Sequence, residues 1–107
     1  MPIVKKLIDR IEERKDDDGK LPKLVDIFAP LWDAVADGDI DTDDYPVLVA
    51  QFKEAIAYAI PLINVPKMPD RLEPMLFDSW AIPLLQGFAD EIVAFVYGRF
   101  NIPLPPE

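Results

Sequence analysis

Twelve prolines are set among apolar residues that recur every three or four positions, a combination that favours short helices separated by rigid turns. Ile3, Val4, Leu7, Ile8 and Ile11 keep helical spacing, so residues 2–15 are expected to form an amphipathic helix, with Pro2 tolerated in its first turn and Gly19 beyond its end. A second helix is expected to open near Pro22. Its apolar stripe of Leu21, Leu24, Val25, Phe28, Leu31, Trp32 and Val35 keeps one period through Pro30. Pro30 should therefore kink this helix without ending it, because the ring removes only the hydrogen bond to the carbonyl of residue 26.

Pro46 suits the start of a third helix, which should run to about Ile60 with Val49, Phe52, Ile56, Ala59 and Ile63 on one face. Pro61, Pro66 and Pro69 read as a connector. A short helix is expected over residues 72–77 and a longer one over 79–100. Asp78 or Ser79 would cap that longer helix, Pro83 would fall in its first turn, and Leu85, Phe88, Ile92 and Phe95 or Val96 would be its buried face. Asn101, followed by Pro103, Pro105 and Pro106, marks its end. No segment alternates apolar and polar residues as a half-buried strand would. The expected fold is an all-α, small antiparallel bundle of four to five helices with a kinked second helix, formed by residues 1–107 as a single helical domain.

The chemistry available is narrow. The chain has no cysteine and no histidine, which removes thiolate ligands, the thiol nucleophile and the usual neutral-pH base. Ser79 and Thr42 are the only aliphatic hydroxyls, and neither lies in a nucleophile-elbow or phosphate-loop context. The pairs and runs Asp90-Glu91 and Asp16-Asp17-Asp18 read as solvated charge, because adjacent helical residues diverge. No catalytic residue is expected. A net charge of −9 opposes nucleic-acid phosphates and anionic membranes. That charge is uneven: residues 1–23 hold seven of the eleven basic residues and six acidic ones, whereas residues 24–107 hold four and fourteen. The first segment is amphipathic and not a signal sequence. The apolar stretches over 46–65 and 80–100 carry central charges, so the reading is a cytoplasmic protein without a membrane span. Trp32 and Trp80 are expected in the core.

One segment invites a site. Asp33 to Asp44 contains six aspartates around Gly38 and resembles a twelve-residue EF-hand loop with glycine at its sixth position. That resemblance implies a metal set of Asp33 (first position), Asp37 (fifth), the Asp39 backbone carbonyl (seventh), Asp41 (ninth) and Asp44 (twelfth), with Ile40 packing inward. Val35 stands where a third-position oxygen belongs, and Asp44 is shorter than the usual glutamate. Calcium or magnesium binding is therefore expected to be weak, on the order of 10⁻⁴ to 10⁻³ M.

The stretch Ala34-Val35-Ala36-Asp37-Gly38-Asp39-Ile40-Asp41-Thr42-Asp43-Asp44 also resembles the helix-ADG-helix element of tellurite-resistance TerB-like and DjlA N-terminal domains. This resemblance implies an acidic helical module of similar size, with divalent-metal binding in some members. The same residues also fit a plain helix connector, in which Gly38 ends one helix, Ile40 plugs the core and Asp41, Thr42 or Asp43 caps the next. The functional expectation is a noncatalytic interaction or adaptor module with a protein partner, engaged through an acidic face or an apolar groove, with weak divalent-metal binding as an accessory property. Two alternatives stand beside it: a metal-responsive module, and a structural subunit of a homo-oligomeric or phage-type assembly.

Overall fold

The computed structural model describes residues 3–38, 40–63 and 73–106. It is a small all-α bundle. Helix α1 spans Ile3–Glu13, α2 Val25–Ala36, α3 Tyr45–Ala59, α4 Glu73–Leu76, α5 Ile82–Gly87 and α6 Ala89–Arg99. A π-turn over Phe77–Ala81 joins α4 to α5, and single 3₁₀ turns at Thr42–Asp44 and Ile60–Leu62 flank α3. The expected connector residues Pro66 and Pro69 and the expected start of the short helix, Leu72, lie outside the described residues, as do Pro2 and Asp39.

Helix α3 is the centre of the bundle, touching α1, α2, α5 and α6. Leu48, Val49, Phe52, Ala55, Ile56 and Ala59 are all buried, and these positions wrap much of its circumference, as a core helix requires. Leu7 and Ile11 of α1, Ile27, Leu31, Ala34 and Val35 of α2, and Ala89, Val93, Val96 and Tyr97 of α6 close onto it.

Helix α1 lies against α2 and is held there by charge as well as by apolar contact. Lys6 Nζ lies 2.7 Å from Asp37, Arg10 reaches Asp37 at 3.2 Å and Asp33 at 3.8 Å, and Arg14 lies 2.8 Å from Asp26. The basic residues ascend while their partners descend, so the two helices run antiparallel. The concentration of basic residues in the first 23 positions thus has a structural use within the fold. Asp26 is the one buried charged residue among those described, and it is fully engaged: Arg14 and the Lys23 amide both donate to its carboxylate. The amide bond caps the first turn of α2 from inside.

Helix α2 passes through Pro30 without a break, as its period requires. It starts at Val25, however, three residues later than Pro22 suggests, after the Leu21 amide has paired with the Leu62 carbonyl at 2.7 Å. That pairing makes an isolated parallel bridge between Leu21 and Ile63, which takes Leu21 out of the helix and Ile63 off the face of α3.

The last third of the chain departs most from expectation. No cap forms at Asp78 or Ser79. The Ser79 hydroxyl instead donates to the Met75 carbonyl inside a continuing helix. The π-turn closes with the Ile82 amide donating to the Phe77 carbonyl, immediately before Pro83, which has no amide hydrogen. A wider turn at this point accommodates the proline. The real break comes at Phe88, with φ −100° and ψ 4°, where Phe77–Gly87 and Ala89–Arg99 meet at a 41° bend. Helix α6 then ends as expected. Asn101 takes φ +58°, while the Ile102 amide donates to the Tyr97 carbonyl and the Asn101 amide to the Gly98 carbonyl, a Schellman closure.

Candidate functional site

Two places merit description as sites: the acidic loop and an apolar groove between α2 and the α5–α6 layer. In the loop, Gly38 adopts φ +84°, the left-handed conformation that the turn needs, and its amide donates to the Val35 carbonyl. Ile40 is buried. The Asp41 side chain accepts from the Asp43 amide while the Asp44 side chain accepts from the Asp41 amide, a reciprocal capping box that leads into α3. Three further bonds moor the loop to the end of the chain. The Tyr97 hydroxyl donates to the Asp41 carbonyl at 2.8 Å, the Thr42 hydroxyl to the Pro103 carbonyl at 2.6 Å, and the Tyr45 hydroxyl to the Asp90 carbonyl at 3.1 Å.

The structure divides the four described metal-set residues, Asp33, Asp37, Asp41 and Asp44, instead of gathering them. Asp33 and Asp37 face the α1 cations, and the Lys6 ammonium bonded to Asp37 holds that carboxyl below the usual carboxylate range. Asp41 and Asp44 cap the next helix, and Asp39 is outside the described residues. Among the described residues no three acidic side chains stand close enough to hold an ion together. An ion at this loop would have to compete with Lys6 and Arg10 for Asp37, and with backbone amides for Asp41 and Asp44.

The groove is walled in part by residues whose pattern in the sequence points to the core. Trp32 and Trp80, expected in the core, are 37% and 59% exposed, and Phe88, expected on the buried face of the last helix, is 51% exposed; of Phe95 and Val96, either of which was expected on that face, Val96 is buried and Phe95 is 64% exposed. Two physical reasons account for this. In α2 the core-facing set is Ile27, Leu31, Ala34 and Val35, so Leu24, Val25 and Trp32 fall on the flank of the stripe. In the last third, the bend at Phe88 changes the face presented to α3, so that of a single stripe drawn through 85, 88, 92 and 95 or 96 only Val96 is buried.

The bend also makes the groove. Helix α2 packs on α6, whereas α5 turns away from it and packs on α3. The gap that opens is about 510 Å³ and is lined by Phe28, Leu31 and Trp32 on one side and by Leu85, Phe88, Ile92, Phe95 and Val96 on the other, with Glu91 the one charged residue in its wall among the described residues. Trp32 also stacks edge-on against Phe100, with ring centroids 4.9 Å apart, which fixes one wall. Leu85 is shared with a second depression of about 360 Å³, where Leu24, Trp80 and Leu84 surround Phe77. The apolar surface is thus continuous along α5 and α6.

The signal for this groove was present in the sequence: residues 77–100 are apolar on nearly every side, which a helix with only one covered face cannot bury. Among the described residues no single helix is long and apolar enough to cross a membrane, although the bent pair Phe77–Gly87 and Ala89–Arg99 reaches that length and composition together. Comparison with known proteins finds no matching family model, no matching curated protein and no matching solved structure.

Proposed function

We propose that this chain is a noncatalytic interaction module whose groove between α2 and the α5–α6 layer seats an apolar segment of another protein. The observation that carries the reading is the set of large exposed apolar side chains, Trp32, Phe88 and Phe95, around a preformed concave surface. Contiguous exposed apolar surface of this kind marks interaction sites, and aromatic residues at the centre of an interface supply most of its energy. Among the described residues the lining offers one titratable group, Glu91, which by itself cannot supply the base, nucleophile and oxyanion donors that a catalytic site needs.

The test is affinity purification from the native source with the natural chain, with Phe95→Asp and with Asp17→Lys as a surface control. Phe95 is largely exposed, so the substitution should leave the helical spectrum and the urea midpoint close to those of the natural chain. A partner kept by the natural chain and by the Asp17 control, but lost from Phe95→Asp, supports the reading. Partners retained by Phe95→Asp would overturn it.

A further inference from the structure

We propose that residues 102–106, the proline segment that follows α6, are a polyproline II ligand for a partner domain whose groove is lined by aromatic side chains. The site is separate from the groove between α2 and the α5–α6 layer, so either reading can fail without the other.

The backbone conformation follows from the sequence of the segment. Pro103, Pro105 and Pro106 each fix φ at about −65°, and each presses the residue before it, here Ile102, Leu104 and Pro105, out of the helical region towards extended or polyproline II backbone. Every residue from 102 to 106 is thus constrained, and the segment runs without a turn or a bend. Burial reports the same geometry. Ile102 and Pro105 are half-buried, with Ile102 packed on the core, whereas Pro103, Leu104 and Pro106 are exposed. That is a period of three, the period of polyproline II, whereas a strand would alternate.

Ending α6 does not account for all of these prolines. Asn101 in its left-handed conformation closes the helix, and Pro103 alone would keep it from resuming. Pro105 and Pro106 go beyond that need.

What they add is a ligand face. Three residues per turn give the segment three edges, and a groove takes two of them while the third points away. Ile102 and Pro105 form the edge held against this chain's own body. Pro103 and Pro106 form the second edge in P-x-x-P spacing, about 9 Å apart at 3.1 Å per residue, and Leu104, 50% exposed, stands on the third. Aromatic-lined grooves dock segments of this spacing and conformation. Backbone groups are free to join the contact: among the described residues the Leu104 amide and the carbonyls of Leu104, Pro105 and Pro106 have no partner within the chain. The segment is also held in place beforehand. The Ile102 amide donates to the Tyr97 carbonyl at 3.0 Å and the Thr42 hydroxyl to the Pro103 carbonyl at 2.6 Å, and a ligand already fixed in its bound conformation loses less entropy on binding.

The experiment presents the full chain to an array of purified SH3 and WW domains, each also prepared with an aromatic residue of its groove replaced by alanine. Affinity is measured by anisotropy of the labelled domain, and the contact is located by amide chemical shifts of the chain. The chains compared are the natural one, the double variant Pro103→Ala with Pro106→Ala, the variant Leu104→Asp, which keeps every proline, and Phe95→Asp as a control in the other groove. Each is checked for fold by circular dichroism.

The expected result is saturable binding to one or more domains of the array, with shifts concentrated at Asn101, Ile102, Leu104 and the adjoining Thr42. The double proline variant, Leu104→Asp and the groove variant of the domain should each weaken binding at least ten-fold, and Phe95→Asp should leave it within two-fold. Failure of every domain to bind the natural chain, or binding that survives the double proline variant or Leu104→Asp, would overturn the proposal. Binding lost in Phe95→Asp, with shifts over α2 and α6 in place of residues 101–104, would refute it as well while leaving the groove between those helices as the docking site.

Discussion

Replacing Tyr97 with phenylalanine tests how the acidic loop is held, and the structure sets both the sign and the size of the effect. The Tyr97 ring is fully buried, its hydroxyl donates to the Asp41 carbonyl at 2.8 Å, and the Tyr45 ring stands edge-on at 5.3 Å. Burial, with the Asp44 and Asp41 charges adding to it, pushes the phenol up from 10.0 to about 12. At pH 8 the tyrosine is neutral whether folded or unfolded, so the substitution removes only the hydrogen bond and leaves the carbonyl without it, costing about 1 kcal/mol.

At alkaline pH the order reverses. The folded pKa is raised, so the contribution is intact below pH 10 and is lost as pH rises towards the folded value, because the unfolded chain ionises first. By about pH 11 the natural chain should have lost roughly 1.4 kcal/mol that the phenylalanine variant keeps, one ten-fold step in ionisation. Urea unfolding of both chains at pH 8, 10 and 11, followed by circular dichroism, should therefore show the natural chain more stable at pH 8 and the variant equal or more stable at pH 11. Lysine deprotonation affects both alike and cancels in the comparison. A stability difference that stays constant from pH 8 to 11 would refute the buried, neutral-phenol account.

Three further expectations follow from the same contacts. Gly38→Ala should lower stability by about 1 kcal/mol through its positive φ alone, since nothing lies within 4 Å of the added methyl. Gly98→Ala, inside α6 with equally open surroundings, should raise it by about 0.5–1 kcal/mol, and urea midpoints separate the two signs. The Asp37 carboxyl is held low first by its bond to Lys6, so its stabilising effect is present above the unfolded value and lost as pH falls through the folded one. Carbon-detected titration should place the Asp37 carboxyl below the ordinary aspartate range, and Lys6→Gln should return it towards that range. Because Asp33 and Asp37 are paired with α1 and Asp41 and Asp44 serve as caps, millimolar calcium or magnesium should raise the melting temperature no more than sodium chloride of equal ionic strength. A divalent-specific increment abolished by Asp37→Ala would establish the loop as a metal site.

Local rules written in the chain determined much of this structure. The 3.6-residue period produced α1, α2 and α3 close to their expected limits. The period also carried α2 through Pro30, because a stripe that continues on both sides of a proline stabilises the helix more than one missing bond weakens it. Gly38 and Asn101 ended their helices for the reason visible in sequence, namely that left-handed backbone is tolerated there. The tertiary structure alone decided which carboxylates are neutralised and which apolar residues stay outside. The Lys6–Arg10–Arg14 row and the Asp37–Asp33–Asp26 row are each periodic, but only the antiparallel docking of α1 on α2 brings them into register. Likewise, the bend at Phe88 depends on how α5 and α6 each pack on α3. Periodicity reports that a residue is apolar and on which side of its own helix it lies, whereas exposure depends on whether another element covers that side. Phe88 and Phe95 stay largely exposed, and Trp32 is covered only in part, by Phe100.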